Sequence, residues 1–147
     1  MLHFEGTKDF TQSVPDLWAK LGDADFLVRC VPDVQSVSQS QADSAAFVIR
    51  PGFSFVRGTL DVSLRVADLV AQKSLRLLVA SKGIGSSSNL EASLNFLPHE
   101  NGTRVNWTAD VTQLGGLLKA VPQGLIKASA QKVIGDVWAS VEKNLQG

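Results

Sequence analysis

Residues 90–111 read LEASLNFLPHENGTRVNWTADV. Leu90, Ala92, Leu94 and Phe96 alternate with Glu91, Ser93 and Asn95, the period-two pattern of a strand with one buried face. Val105, Trp107, Ala109 and Val111 repeat the alternation downstream. Between the two runs stands Asn101-Gly102, a pair suited to a two-residue hairpin loop. The stretch therefore predicts an antiparallel hairpin with its loop at Asn101-Gly102.

Upstream the β signal continues to Asp33. Val34–Ser38 and Ala45–Arg50 read as strands joined by the polar turn Ser40–Ser44. Leu60, Val62, Leu64 and Val66 alternate with Thr59, Asp61, Ser63 and Arg65, and Leu75–Ser81 forms a further run. The N-terminal residues 2–10 also alternate, with Leu2, Phe4 and Phe10 opposite His3, Glu5, Thr7 and Asp9. Two short helices interrupt the strands. Ser13, Val14, Pro15 and Asp16 carry the start signals of one, which Gly22 ends. Asp23 caps the second, which runs through Phe26, Leu27 and Cys30 to a stop at Pro32.

Downstream of Gly115-Gly116 the period changes. Leu117, Leu118, Val121, Leu125, Ile126, Val133, Ile134, Val137, Trp138, Val141 and Leu145 recur at spacings of three and four. That predicts a long amphipathic helix of about 28 residues, kinked or split near Pro122 and Gly124. A hairpin-linked sheet with one apolar face needs a cover, and this helix is the element long enough to provide it. The fold class is α+β: about seven antiparallel strands curved around a C-terminal helix, with two short helices after the first strand.

Composition narrows the function. The 147 residues suit one domain spanning 1–147, and 44% hydrophobic with 19% charged residues argues against disorder. Fourteen Lys+Arg balance fourteen Asp+Glu, which argues against a generic nucleic-acid binder with its basic face. The lone Cys30 excludes an intrachain disulfide and a cysteine-rich zinc site. It reads as a small buried apolar group or, alternatively, as a ligand-contacting thiol. No signal peptide or membrane-length apolar run is visible, so a cytoplasmic protein is expected. The sequons at Asn101 and Asn106 then carry no meaning.

No constellation for catalysis emerges. Glu5, Asp9, Asp61, Glu91 and Asp110 all fall on the polar parity of their strands. General acid–base work needs titratable groups inside a pocket. His3 and His99 read as solvated, no ligand cluster suggests a metal, and the chain has no tyrosine. Gly83-Ile84-Gly85 lacks the Gly-Lys-Ser/Thr of a phosphate loop and reads as strand-end geometry. Neither a catalytic residue nor a cofactor is expected. A cyclase- or hydrolase-like activity would require a polar group turned inward, with Arg57 or Asn106 as candidates.

The order of elements resembles the helix-grip, START-like (SRPBCC) fold. Leu27-Val28-Arg29-Cys30-Val31-Pro32-Asp33-Val34 is similar to a "LARCIPG" stretch, and Phe55-Val56-Arg57-Gly58-Thr59-Leu60 to "PVRGRF". Lys82-Gly83-Ile84-Gly85 stands where a "GKG…G" turn would be. Together these resemble the CoxG family of carbon monoxide dehydrogenase proteins. The resemblance implies a hydrophobic cavity between sheet and helix, and an accessory role to a molybdenum-containing carbon monoxide dehydrogenase. It also implies handling of quinone-like molecules and attachment to a membrane. Some members carry a hydrophobic tail after the fold, and this sequence stops at Gly147. Membrane contact is therefore expected to be peripheral, at the inner face. The expected cavity lining is Phe26, Phe47, Phe53, Phe55, Leu64, Val66, Leu77, Leu94, Trp107, Leu118, Val121, Leu125 and Ile126. Pro51–Phe55 would form a lip at the mouth, and Leu114–Leu118 an opposing hinge. Two other functions fit the fold: a polyketide cyclase/hydrolase-like enzyme, and a module that only docks a partner protein.

Overall fold

Each predicted run of alternation becomes a strand in the computed structural model, which describes residues 2–50 and 58–146. The Pro51–Phe55 lip, with Phe53 and Phe55, and the candidate Arg57 lie outside the described residues. The elements are β1 (Leu2–Phe10), α1 (Val14–Leu21), α2 (Ala24–Cys30), β2 (Val34–Ser40), β3 (Ser44–Ile49), β4 (Leu60–Val70), β5 (Ser74–Gly83), β6 (Ser86–His99), β7 (Gly102–Gly116) and α3 (Gln123–Gln146). The strands form one antiparallel sheet in the order β1-β7-β6-β5-β4-β3-β2. This is the expected α+β helix-grip arrangement of seven strands and a terminal helix.

The short helices start where their caps dictate. The Ser13 hydroxyl accepts from the Asp16 amide at 3.4 Å, and the Asp23 carboxylate from the Asp25 amide at 3.0 Å. Leu17 and Leu21 of α1 are buried, as are Phe26, Leu27, Val28 and Cys30 of α2. The Trp18 indole donates to the Ser74 carbonyl at 3.1 Å, tying α1 to the start of β5. These two helices close one end of the sheet.

Two details differ from the sequence expectation, and a third follows it. The hairpin loop is Glu100-Asn101, because His99 pairs with Gly102. Gly102 is the first residue of β7, where a Cβ would collide with the Phe10 carbonyl oxygen. Close approach of backbone, rather than a turn conformation, requires this glycine. Second, β7 runs on to Gly116 and contains a bulge: Leu90 pairs with Val111 but Asn89 with Gln113. The extra residue switches the parity of β7, so that Leu114, not Gln113, joins the apolar side. Third, the terminal helix is split. Residues 117–120 form a 3-10 turn, Val121 is extended, and α3 begins after Pro122. The Pro122 carbonyl accepts from the Leu125 and Ile126 amides at 3.0 and 3.2 Å. Having no N–H to leave unsatisfied, proline suits a helix start.

The register at this hairpin is testable. Gly102→Ala is expected to lower stability by about 1–3 kcal/mol, the usual range for forcing a group into filled space. Glu100, with φ of 55°, carries the positive-φ position of the loop. Glu100→Gly is therefore expected to leave the urea midpoint unchanged or raise it slightly. A fall on Glu100→Gly with no fall on Gly102→Ala would place the loop one residue later.

Candidate functional site

The inner face of the sheet is apolar, and its cover is uneven. One core cluster joins α1 and α2 to Phe47, Val62, Leu64 and Val66, and reaches Val137, Trp138, Val141 and Leu145 of α3. Val141 is 1% exposed, the deepest point of the helix. A second, thinner cluster holds Phe4, Ala109 and Val111, with Leu90, Leu114 and Ile134 partly buried around it. The C-terminal half of α3 is thus packed into the main core. Its N-terminal half lies over the thin cluster and buries chiefly Ile126.

A groove of about 450 Å³ opens beside this second cluster. Its walls are β1 (His3 to Lys8), Trp107 of β7, and Lys127, Gln131, Ile134, Gly135 and Trp138 of α3. Two glycines make the space. Gly6 lies under the Trp107 ring, where a Cβ would come within 2.8 Å of Cζ2, and Gly135 has nothing within 4 Å of its Cβ position. Trp138 stacks obliquely on both sides, with ring centroids 5.8 Å from Phe10 and 6.1 Å from Trp107. Lys8 shares the inward parity of Phe4 and pairs with Glu142 of α3, which holds the helix to the sheet edge.

The expected lining residues divide. Phe26, Phe47, Leu64, Val66 and Leu94 are buried in the main core, and Leu77 and Trp107 are partly buried against it. Ile126 is buried, and Leu118 and Val121 are half-buried near the start of α3. Leu125 is 41% exposed, because its neighbour Ile126 takes the inward position on the helix. Of those among the described residues, Trp107 alone is at the groove. Sequence periodicity missed Gly6, Lys8, Gln131 and Gly135. Gly6 and Lys8 were legible as members of the Phe4 parity.

Most charged strand side chains lie on the outer face, while His3, Glu5 and Lys8 of β1 and Lys127 of α3 also border the groove. His3 Nδ1 is 2.5 Å from Asp110 Oδ1 and its Nε2 is 3.6 Å from Glu5. The Asp110 hydrogen bond holds the His3 pKa above its ordinary 6.5. Arg104 donates to Asp9 at 2.8 and 3.1 Å and keeps that carboxyl below its usual range, while His99 stands 3.0 Å from the same guanidinium. Asn106, a candidate for an inward polar group, is exposed and accepts from the Thr7 hydroxyl at 3.0 Å. It sits between the inward-facing Val105 and Trp107, so strand alternation turns it outward. Cys30 is buried, its thiol 3.4 Å from the Phe26 carbonyl, and burial pushes its pKa up. A thiol so placed is a poor nucleophile. Among the described residues no three His, Cys, Asp or Glu side chains gather as metal ligands. What this arrangement can do chemically is hold an apolar molecule.

The comparisons with known proteins agree with this architecture. A profile of the CoxG subunit of carbon monoxide dehydrogenase matches residues 6–146. The chain belongs to the CoxG family. No curated protein matches its sequence. A conserved protein from Geobacillus kaustophilus superposes with a TM-score of 0.86 at 23% identity, over 99% of this chain and 95% of that one. A START superfamily protein from Mycobacterium smegmatis gives 0.68 at 10% identity, over 98% and 97% of the two chains. At such identities the likeness is one of fold, and it establishes the START-like class. No helix among the described residues is long and apolar enough to cross a membrane.

The His3–Asp110 pair has a defined pH signature. A raised folded pKa stabilises the protein while the ring is protonated. That contribution is fully present below the ordinary value of 6.5 and is lost as pH rises through the folded one. NMR titration is expected to place His3 above its ordinary range in the wild type and to return it there in Asp110→Asn.

Proposed function

We propose that this CoxG-family chain binds a small hydrophobic ligand, quinone- or lipid-like, between the sheet and the N-terminal half of α3. The observation that carries the reading is the unevenly covered apolar face. Leu77, Val79, Leu90, Ala92 and Leu114 remain half-buried instead of closing into a solid core, and Trp107 borders a groove. Ligand pockets are characteristically concave and mostly apolar, with few polar groups. The placement of Asp9, Asp61, Glu91 and Asp110 on the opposite face, with Glu5 alone of the strand carboxylates at the groove, supports binding over acid–base chemistry. The residues expected to line the site keep that role in this reading, with Gly6, Ile134, Gly135 and Trp138 added at the groove. Leu125 is reassigned to the exposed side of the helix.

Family membership supports an accessory role beside a molybdenum-containing carbon monoxide dehydrogenase-type oxidoreductase. In this reading the protein acts in the cytoplasm and touches a membrane only peripherally. The docking-module alternative rests on exposed Ile84, Leu117 and Leu125 near the start of α3. Genes for a molybdenum hydroxylase next to this one would favour a partner of that kind under either reading.

Native mass spectrometry of protein purified from its own source, followed by solvent extraction, is expected to show a bound quinone or lipid. An unliganded mass would shift the assignment to docking. Gly135→Leu separates binding from folding. It replaces a helix-interior glycine, a change that stabilises a helix by roughly 0.5–1 kcal/mol, and it projects a side chain into the groove. The variant is expected to melt at or above the wild-type temperature and to lose the co-purifying ligand. Retention of the ligand would remove the groove from the site.

A further inference from the structure

On the inner face of β4, β5 and β6 the side chains are mostly Leu, Val, Ala and Phe, interrupted near the β5–β6 hairpin by Ser86 and, one pair further in, by Ser81 and Ser88. These two residues are cross-strand partners, and Ser81 is also paired with Val62, a buried core residue. Directly paired residues share a face, so both hydroxyls stand on the inner side of the sheet. Their oxygens are 2.6 Å apart and partly buried. Around them Val79, Leu90 and Leu114 are half-buried, so this end of the face is open. Leu90 and Leu114 belong to the same cluster as Phe4, Trp107 and Ile134 of the groove.

Two hydroxyls carry two hydrogens, and their mutual bond uses one. The second is left to donate. From this we infer that the Ser81–Ser88 pair anchors a neutral hydrogen-bond acceptor, a carbonyl or ether oxygen, on an otherwise apolar ligand. The inference rests on the hydrophobic-ligand reading above and specifies its ligand class. A carboxylate would find no cation at this pair: the inner side chains of β4–β6 include none, and the groove-lining Lys127 belongs to α3. The cation on the inward parity of β1, Lys8, is already paired with Glu142. A pair of hydroxyls also fixes direction: a donor at one end of an apolar wall orients a molecule that hydrophobic contact alone would leave free to turn.

The test uses benzophenone and its methylidene analogue, in which CH2 replaces the carbonyl oxygen. Dissociation constants for both are measured by equilibrium dialysis against the whole protein. The ratio of the two constants cancels changes in general packing. In the Ser81→Ala/Ser88→Ala protein the preference for the ketone is expected to fall about fivefold, the worth of one net hydrogen bond. Binding of the analogue should hold, which also reports an intact site. Ser88→Thr, which keeps the hydroxyl, is expected to keep the preference, and Ser81→Cys/Ser88→Cys, whose thiols are weak donors, serves should the double alanine variant not fold. If both probes bind and the ratio does not move, the anchor is overturned while the apolar site stands. If neither probe binds the wild type, the hydrophobic-ligand reading fails and the anchor fails with it.

Discussion

The contact between Val141 and Trp138 of α3 and the core behind Phe10 is the constraint on which the rest depends. A seven-stranded sheet with one apolar face must be covered, and α1 and α2 close only one end of it. The remaining cover has to come from one helix. That helix is fixed through its last turns, where Val141 is nearly inaccessible, Asn144 reaches Cys30 at 3.6 Å, and Glu142 pairs with Lys8. A single straight helix cannot follow a curved sheet along its whole length. Where it is pinned, the core is dense; where it is not, a groove is left.

Most of the fold was legible in the sequence because it depends on local periodicity. Alternation, apolar runs and turn signals located the strands, and the change to three-and-four spacing located α3. Ser13 and Asp23 marked helix starts, and Pro122 a break in the terminal helix, for reasons confined to their own backbone. What local pattern could not supply was register. The loop position turned on whether Gly102 is needed for a positive φ or for contact with Phe10, a residue far away in the sequence. The bulge opposite Asn89 likewise leaves no local mark, yet it decides that Leu114 faces inward.

The candidate site was less legible for the same reason. A list of inward-facing apolar residues names the wall of a helix-grip fold, but most of them fill the dense half. Gly6 and Gly135 matter through the side chains they lack. No periodicity rewards such an absence. Ser81 and Ser88 look like ordinary polar residues at strand ends until their pairing puts them side by side. Leu125 shows the converse: in a helix that buries only a narrow stripe, the inward position belongs to one of two adjacent apolar residues, and Ile126 takes it.

Uneven attachment also has a consequence for how a ligand enters. Regions with few buried contacts open at a lower free energy than the global fold. Between Gln123 and Asp136 the helix has one buried residue, Ile126, two glycines with nothing beside them, and a flanking 3-10 turn whose Leu117 is 64% exposed. Beyond Asp136 it has Val137, Trp138, Val141 and Leu145 in the core. Lifting the first half exposes little that is not already half-exposed, whereas lifting the second would break the main core. In the proposed binding role, admission of a ligand would run through the N-terminal half of α3, with Trp138 as the pivot, and would leave the Lys8–Glu142 pair and the Phe10 contact in place. The same packing that makes the fold stable at one end of the helix is what keeps the other end free to open.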